Sequence, residues 1–153
     1  MNNPGVACLF SLTLLFAATV HAQTSAAKPP DFDHLALHVQ DLARSGDFYE
    51  KVVGLERIPD PFKDGRHIWF RMGPHSQLHV ISGATGPSPA PIDVHFALRV
   101  ASLADFTARL DTAGVKYRSF LGDGKITSRP DGVKQTYLQD PDGYWIEVND
   151  GTF

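Results

Sequence analysis

The stretch QTYLQDPDGYWIEVN, Gln135 to Asn149, decides how this chain folds. Two runs with period-two alternation flank Asp140-Pro141-Asp142-Gly143, where Pro presets φ, Asp can close an Asx-turn and Gly tolerates φ > 0. The stretch therefore predicts a β-hairpin. In its second strand Tyr144, Ile146 and Val148 share one face, and Trp145, Glu147 and Asn149 share the other. A carboxylate in mid-strand between apolar neighbours is costly to bury ionised unless Arg, Lys or a metal compensates it. The histidines elsewhere in the chain point to the metal.

Working back from the hairpin, the same alternation opens the fold. Over Asp31 to Gln40, Leu35, Leu37 and Val39 lie on one face of a strand and His34, Ala36 and His38 on the other. Asp41 is placed to N-cap a helix through Phe48, Tyr49, Val52 and Val53, which Gly54 stops. Strands follow at Leu55 to Ile58, His67 to Met72 (His67, Trp69 and Arg71 on one face) and Gln77 to Ile81, with Leu78 and Val80 opposing Gln77, His79 and Ile81. The linker Gly83 to Pro91 is rich in Gly, Pro and Ala. A second pass then runs through a strand at Ile92 to Val100, a helix capped by Ser102 and stopped at Gly114, a strand at Val115 to Leu121, a loop at Gly122 to Asp131 and the closing hairpin.

The two passes are a repeat. At an offset of 61, HLALHV from His34 lies over HFALRV from His95, and Asp41 over Ser102. At an offset of 68, Trp69 lies over Tyr137, Leu78 over Ile146, His79 over Glu147 and Val80 over Val148. A duplicated βαβββ unit predicts an α+β fold, two modules forming a curved, mostly antiparallel eight-stranded sheet with helices on the outer face. The repeat makes His34 equivalent to His95 and His79 equivalent to Glu147. All four lie opposite the Leu, Val and Ile rows that should pack under the helices. Three neutral imidazoles and a carboxylate suit a divalent first-row metal.

The chain has 153 residues, 42% of them hydrophobic and 20% charged, which suits one ordinary globular domain. A net charge of −3 without basic runs argues against a nucleic-acid partner. Residues 1–22 contain no Asp, Glu, Lys or Arg, and Val6 to Val20 is an apolar run before Val20-His21-Ala22. This predicts a signal peptide over 1–22, a flexible leader over 23–30, and a secreted or periplasmic protein with no membrane contact after cleavage. The only cysteine, Cys8, falls within the signal, so the mature chain has no thiol chemistry. The folded domain is expected over 31–150, with module one at 31–82, the linker at 83–91 and module two at 92–150.

On HLALHVQDL at 34–42, FYEKVVGL at 48–55, SQLHVIS at 76–82, HFALRV at 95–100 and DPDGYWIEV at 140–148, the chain resembles the vicinal oxygen chelate superfamily. That group includes glyoxalase I, extradiol dioxygenases, fosfomycin-resistance transferases and bleomycin-binding proteins, and the resemblance is nearest to its lactoylglutathione-lyase-like members. It implies metal ligands at His34, His79, His95 and Glu147, holding one divalent ion of nickel, zinc, cobalt, manganese or iron. It implies Glu147, or a metal-bound hydroxide, as the catalytic base of a lyase or isomerase that moves a proton on a small carbonyl substrate through a metal-stabilised enediolate. His38, His67, Trp69, Arg99, Gln135 and Tyr137 are expected to line the substrate pocket.

Two departures bear on the substrate. His79 stands where glyoxalase I usually has glutamate, and His38 where it has an arginine for glutathione. The alternatives are an extradiol-type Fe(II) dioxygenase, using His34, His95 and Glu147 as a facial triad, and a non-catalytic protein that sequesters a small molecule. Either pairing of the modules, within one chain or across a homodimer, would bring the same four residues together.

Overall fold

In the computed structural model, which describes residues 28–88 and 90–152, the predicted repeat appears as two mixed sheets and two helices. Residues from Asp31 onward form a compact unit. The expected signal peptide lies outside the described residues.

Module one runs β1 (His34–Val39), α1 (Leu42–Asp47), β2 (Glu56–Ile58), β3 (His67–Arg71) and β4 (Gln77–Ser82). Its strands pair in the order β1-β4-β3-β2, with β1 and β4 parallel and the rest antiparallel. Module two runs β5 (His95–Arg99), α2 (Leu103–Thr112), β6 (Tyr117–Arg118), β7 (Thr127–Ser128), β8 (Lys134–Gln139) and β9 (Trp145–Asn149). Its order is β5-β9-β8-β6, β5 and β9 are parallel, and β7 also pairs with β8.

The register reproduces the sequence repeat residue by residue. In the first sheet His79 sits between Ala36 on β1 and Trp69 on β3. In the second, Glu147 sits between Ala97 on β5 and Tyr137 on β8. Both predicted N-caps form: the Asp41 carboxylate accepts from Arg44 N at 3.0 Å, and Ser102 Oγ from Asp105 N at 3.1 Å. Gly54 and Gly114 both adopt the left-handed backbone that ends each helix, with φ of 88° and 65°. Gly143 closes the final hairpin at φ 90°, while the Asp140 carboxylate accepts from Asp142 N and Tyr144 N at 2.9 Å each.

Three features differ from the sequence expectation. The first helix is α-helical only over Leu42–Asp47 and continues as a π-helix over Phe48–Val53, whose wider winding places Phe48, Tyr49 and Val53 in the core. The strand expected at Val115 to Leu121 shrinks to Tyr117–Arg118, and the loop expected at Gly122 to Asp131 contains β7. The described residues also form two sheets of four and five strands instead of one continuous eight-stranded sheet. The packing explains that last difference. Leu37, Val39, Phe70, Leu78 and Val80 of the first sheet and Leu98, Leu138, Ile146 and Val148 of the second enter one shared core, together with Phe48, Tyr49, Leu103, Phe106 and Leu110. The modules thus meet through their apolar faces rather than through a strand ladder.

The closing hairpin turn also joins the modules. Asp142 accepts from Gln40 N at 2.8 Å and from Ser45 Oγ at 2.6 Å, and the Asp140 carboxylate accepts from Tyr49 O–H at 2.7 Å. Both carboxylates are buried.

A candidate metal site divided into two halves

Because successive residues of a strand face opposite ways, the shared apolar core sends the histidine rows to the far side of each sheet. The first half-site is on β1, β3 and β4. The rings of His34 and His79 stack at 4.3 Å, and the other face of His79 stacks on Trp69 at 3.7 Å. The second half-site is on β5, β8 and β9. There His95 Nε2 lies 3.3 Å from the Glu147 carboxylate.

Each histidine has one nitrogen committed to an oxygen that can only accept. His34 Nδ1 meets Asp33 Oδ2 at 2.6 Å, His79 Nε2 meets Gln77 Oε1 at 2.9 Å, and His95 Nδ1 meets Ile92 O at 2.7 Å. The committed nitrogen must carry the proton, which leaves Nε2 of His34, Nδ1 of His79 and Nε2 of His95 with a lone pair when the ring is neutral. Metal-bound histidines are oriented in this way. Burial lowers the His79 pKa, and the neighbouring His34 lowers it further, which favours the neutral ring.

Glu147 is 7% exposed and held by neutral donors. Tyr137 O–H donates to its Oε2 at 2.5 Å and Asn149 Nδ2 to its Oε1 at 2.8 Å, while Gln135 Nε2 donates to the Tyr137 oxygen at 2.7 Å. Burial and the adjacent carboxylate push the Tyr137 pKa far above that of a free phenol, so the hydroxyl remains a donor. With His95 neutral, its lone pair faces a carboxylate oxygen, two acceptors that only a cation or a proton can reconcile. In donor chemistry the residues fit a divalent metal.

The structure gathers these four candidate ligands in pairs. Among the described residues, three or more ligand-type side chains with donor atoms within 4.8 Å of one another occur only at Asp60, Asp64 and His67. That group is explained by its loop: the Asp60 carboxylate accepts from Phe62 N and Lys63 N, and Asp64 from Arg66 N and His67 Nδ1.

The expected pocket residues divide in the same way. Trp69 belongs to the first half-site, His67 stacks at an angle on Phe62, and the exposed His38 receives the Tyr144 O–H on its carbonyl at 3.1 Å. Gln135 and Tyr137 are buried and spend their polar groups on the Glu147 network, so they orient Glu147. Arg99 is exposed on the His95 face of β5, and Arg71 pairs with Glu56 at 2.9 Å. Sequence reasoning missed Asp33, Gln77 and Asn149, which hydrogen-bond to His34, His79 and Glu147. The two-residue spacing of Gln77 from His79 and of Asn149 from Glu147 was the available signal, since it puts each pair on one strand face.

The chain belongs to the Glyoxalase/Bleomycin resistance protein/Dioxygenase superfamily, whose family model matches residues 31–148. It is 32% identical over 120 residues to YwbC of Bacillus subtilis (strain 168), covering 75% of this chain and 93% of that protein. It is 24% identical over 152 residues to a lactoylglutathione lyase of Pseudomonas putida, covering 76% of this chain and 83% of that enzyme. Among solved structures, a glyoxalase family protein from Bacillus anthracis shares the fold with a TM-score of 0.66 at 22% identity, over 83% of this chain and 99% of that one.

Proposed function

We propose that this protein is a metal-dependent lyase or isomerase of the glyoxalase type, acting on a small carbonyl compound. Each site would be assembled from the His34–His79 pair of one copy and the His95–Glu147 pair of a second. One observation carries the reading: His34, His79, His95 and Glu147, each hydrogen-bonded or paired to a neighbouring polar group, stand as two pairs on faces turned away from the shared core. Family membership and the lactoylglutathione lyases among the relatives support it. Pairing the first sheet of one copy with the second sheet of another would also supply a continuous curved arrangement of the kind that the repeat predicts.

His34, His79, His95 and Glu147 would hold a divalent metal, which supplies Lewis acidity toward a carbonyl oxygen. Glu147, steadied by Tyr137 and Asn149, would accept the proton from the carbon beside the carbonyl and return it to the carbonyl carbon. This isomerisation needs no oxidant. The apolar segment at Val6 to Val20 supports export, where glutathione is scarce, so a hemithioacetal of a thiol other than glutathione, or the hydrate of a 2-oxoaldehyde, is the better substrate class.

The test is the metal content of residues 23–153 by elemental mass spectrometry, with His95→Ala and Glu147→Ala alongside. Roughly one equivalent of nickel, zinc, cobalt or manganese per chain, lost in both variants, is expected. Iron together with oxygen uptake on catechols would move the reaction to the dioxygenases. No metal after reconstitution would overturn both enzyme readings and leave a sequestering protein.

A further inference from the structure

A cavity of about 700 Å³ lies at the β6 edge of the second sheet, between the end of α2 and the β8–β9 hairpin. Its volume is in the range of small-molecule sites. Tyr117, Arg118, Lys125, Tyr137, Gln139 and Trp145 are among its lining residues. The register places it beside the second half-site. Arg118 pairs with Tyr137 across β6 and β8, Tyr137 with Glu147 across β8 and β9, and Gln139 with Trp145. Residues directly opposite on neighbouring strands share a face, so Arg118, Tyr137, Gln139 and Trp145 project on the Glu147 side of the sheet. Tyr137, which lines the cavity, also donates its hydroxyl to Glu147.

The cavity's charge is asymmetric. Lys125 is compensated, because its ammonium donates to Asp111 at 2.9 Å and to the Tyr117 oxygen at 3.1 Å and lies over the Tyr117 ring. The Arg118 guanidinium lies over the Trp145 ring, its central carbon 5.1 Å from the ring centre. Among the described residues no carboxylate is within ion-pair distance of it. The ring offers no acceptor to the guanidinium N–H groups, which can therefore donate to a carboxylate. The surrounding wall is aromatic.

We propose that this cavity receives the non-reacting end of the substrate, a planar body of aromatic size bearing a carboxylate that docks on Arg118. The Arg118 guanidinium matches the carboxylate, the exposed Lys116 adds positive charge at the rim, and Trp145 supplies an aromatic wall on the Glu147 side of the sheet. A three-carbon oxoaldehyde would leave most of this volume unfilled. As a substrate subsite the assignment rests on the reading of Glu147 given above; as a carboxylate-binding cavity it can be tested independently.

The test is equilibrium binding of benzoate, a planar aromatic body with one carboxylate, to the intact protein by calorimetry, with acetophenone as the uncharged probe. Binding of benzoate is expected to weaken about tenfold or more in Arg118→Gln and to recover in part in Arg118→Lys. Acetophenone should bind more weakly than benzoate and equally to wild type and both variants. Equal benzoate binding by wild type and Arg118→Gln, or none by wild type, would overturn the proposal. So would tighter binding of phenylphosphonate than of benzoate. The metal content of the wild-type protein, measured alongside, separates the two readings. Arg118-dependent binding in a wild-type protein that takes up no metal leaves the cavity assignment standing while the metal-enzyme reading falls. Normal metal content without Arg118-dependent binding does the reverse.

Discussion

Ser45 Oγ donates to the Asp142 carboxylate at 2.6 Å, joining the first helix of module one to the last turn of module two across 97 positions of chain. The same carboxylate accepts from Gln40 N and Gln40 Nε2, and Arg44 Nη2 stands 3.8 Å away. Asp142→Ala would leave the buried Ser45 hydroxyl and the part-buried Gln40 donors without this acceptor. The expected cost is about 3 kcal/mol or more of unfolding free energy, read as a lower urea midpoint.

The same contact sets a pH dependence. Burial pushes the Asp142 pKa up, but the Ser45 and Gln40 hydrogen bonds and Arg44 outweigh it, and the net shift is downward. A depressed carboxylate contributes stability that is complete above its unfolded value, about 3.9, and is lost as pH falls through the lower folded value. The stability advantage of wild type over Asp142→Asn should therefore be full at neutral pH and shrink in that acid window. Asp140 works in the opposite sense. Burial raises its pKa against the hydrogen bond from Tyr49, so its own ionisation opposes folding as pH rises. Urea titrations of the two proteins at a series of pH values isolate the Asp142 part by difference.

If the site is shared between copies, two inactive chains should rescue each other. Chain one carries His34→Ala and His79→Ala, and chain two carries His95→Ala and Glu147→Ala. A mixed dimer keeps one intact site, built from the first sheet of chain two and the second sheet of chain one. Random exchange after mixing should restore about a quarter of the wild-type metal and activity. Zero recovery, with mixed dimers demonstrated by native mass spectrometry, would place the whole site within one chain.

Tyr137→Phe removes one of the two neutral donors on Glu147 and leaves the Gln135 amide without its acceptor. Metal affinity, measured by competition with a chelating dye, should fall by about 10- to 100-fold, the range for loss of a group that orients a ligand. Gln77→Leu should act similarly through His79, which would lose the oxygen that fixes its tautomer.

What the sequence determined by itself is what local chemistry and periodicity control. The DPDG turn, the Asp41 and Ser102 caps, the glycine stops at 54 and 114, and the alternation that sets His34, His79, His95 and Glu147 against the Leu and Val rows all follow from interactions within a few residues, and all appear in the structure. The duplication carried the register as well, because an offset of 61 or 68 maps Ala36 beside His79 onto Ala97 beside Glu147. Tertiary structure decided how the modules meet. Period two says only that a strand has an apolar face, not which apolar face will cover it, and here Leu37 and Val39 share a core with Leu98 and Val148. That choice turns the histidine faces apart and divides the candidate ligands into two pairs. The bonds of Ser45 to Asp142 and of Tyr49 to Asp140, and the laying of Arg118 over Trp145, likewise join residues distant in sequence. No local pattern encodes such contacts, because their energy exists only once the chain has closed around them.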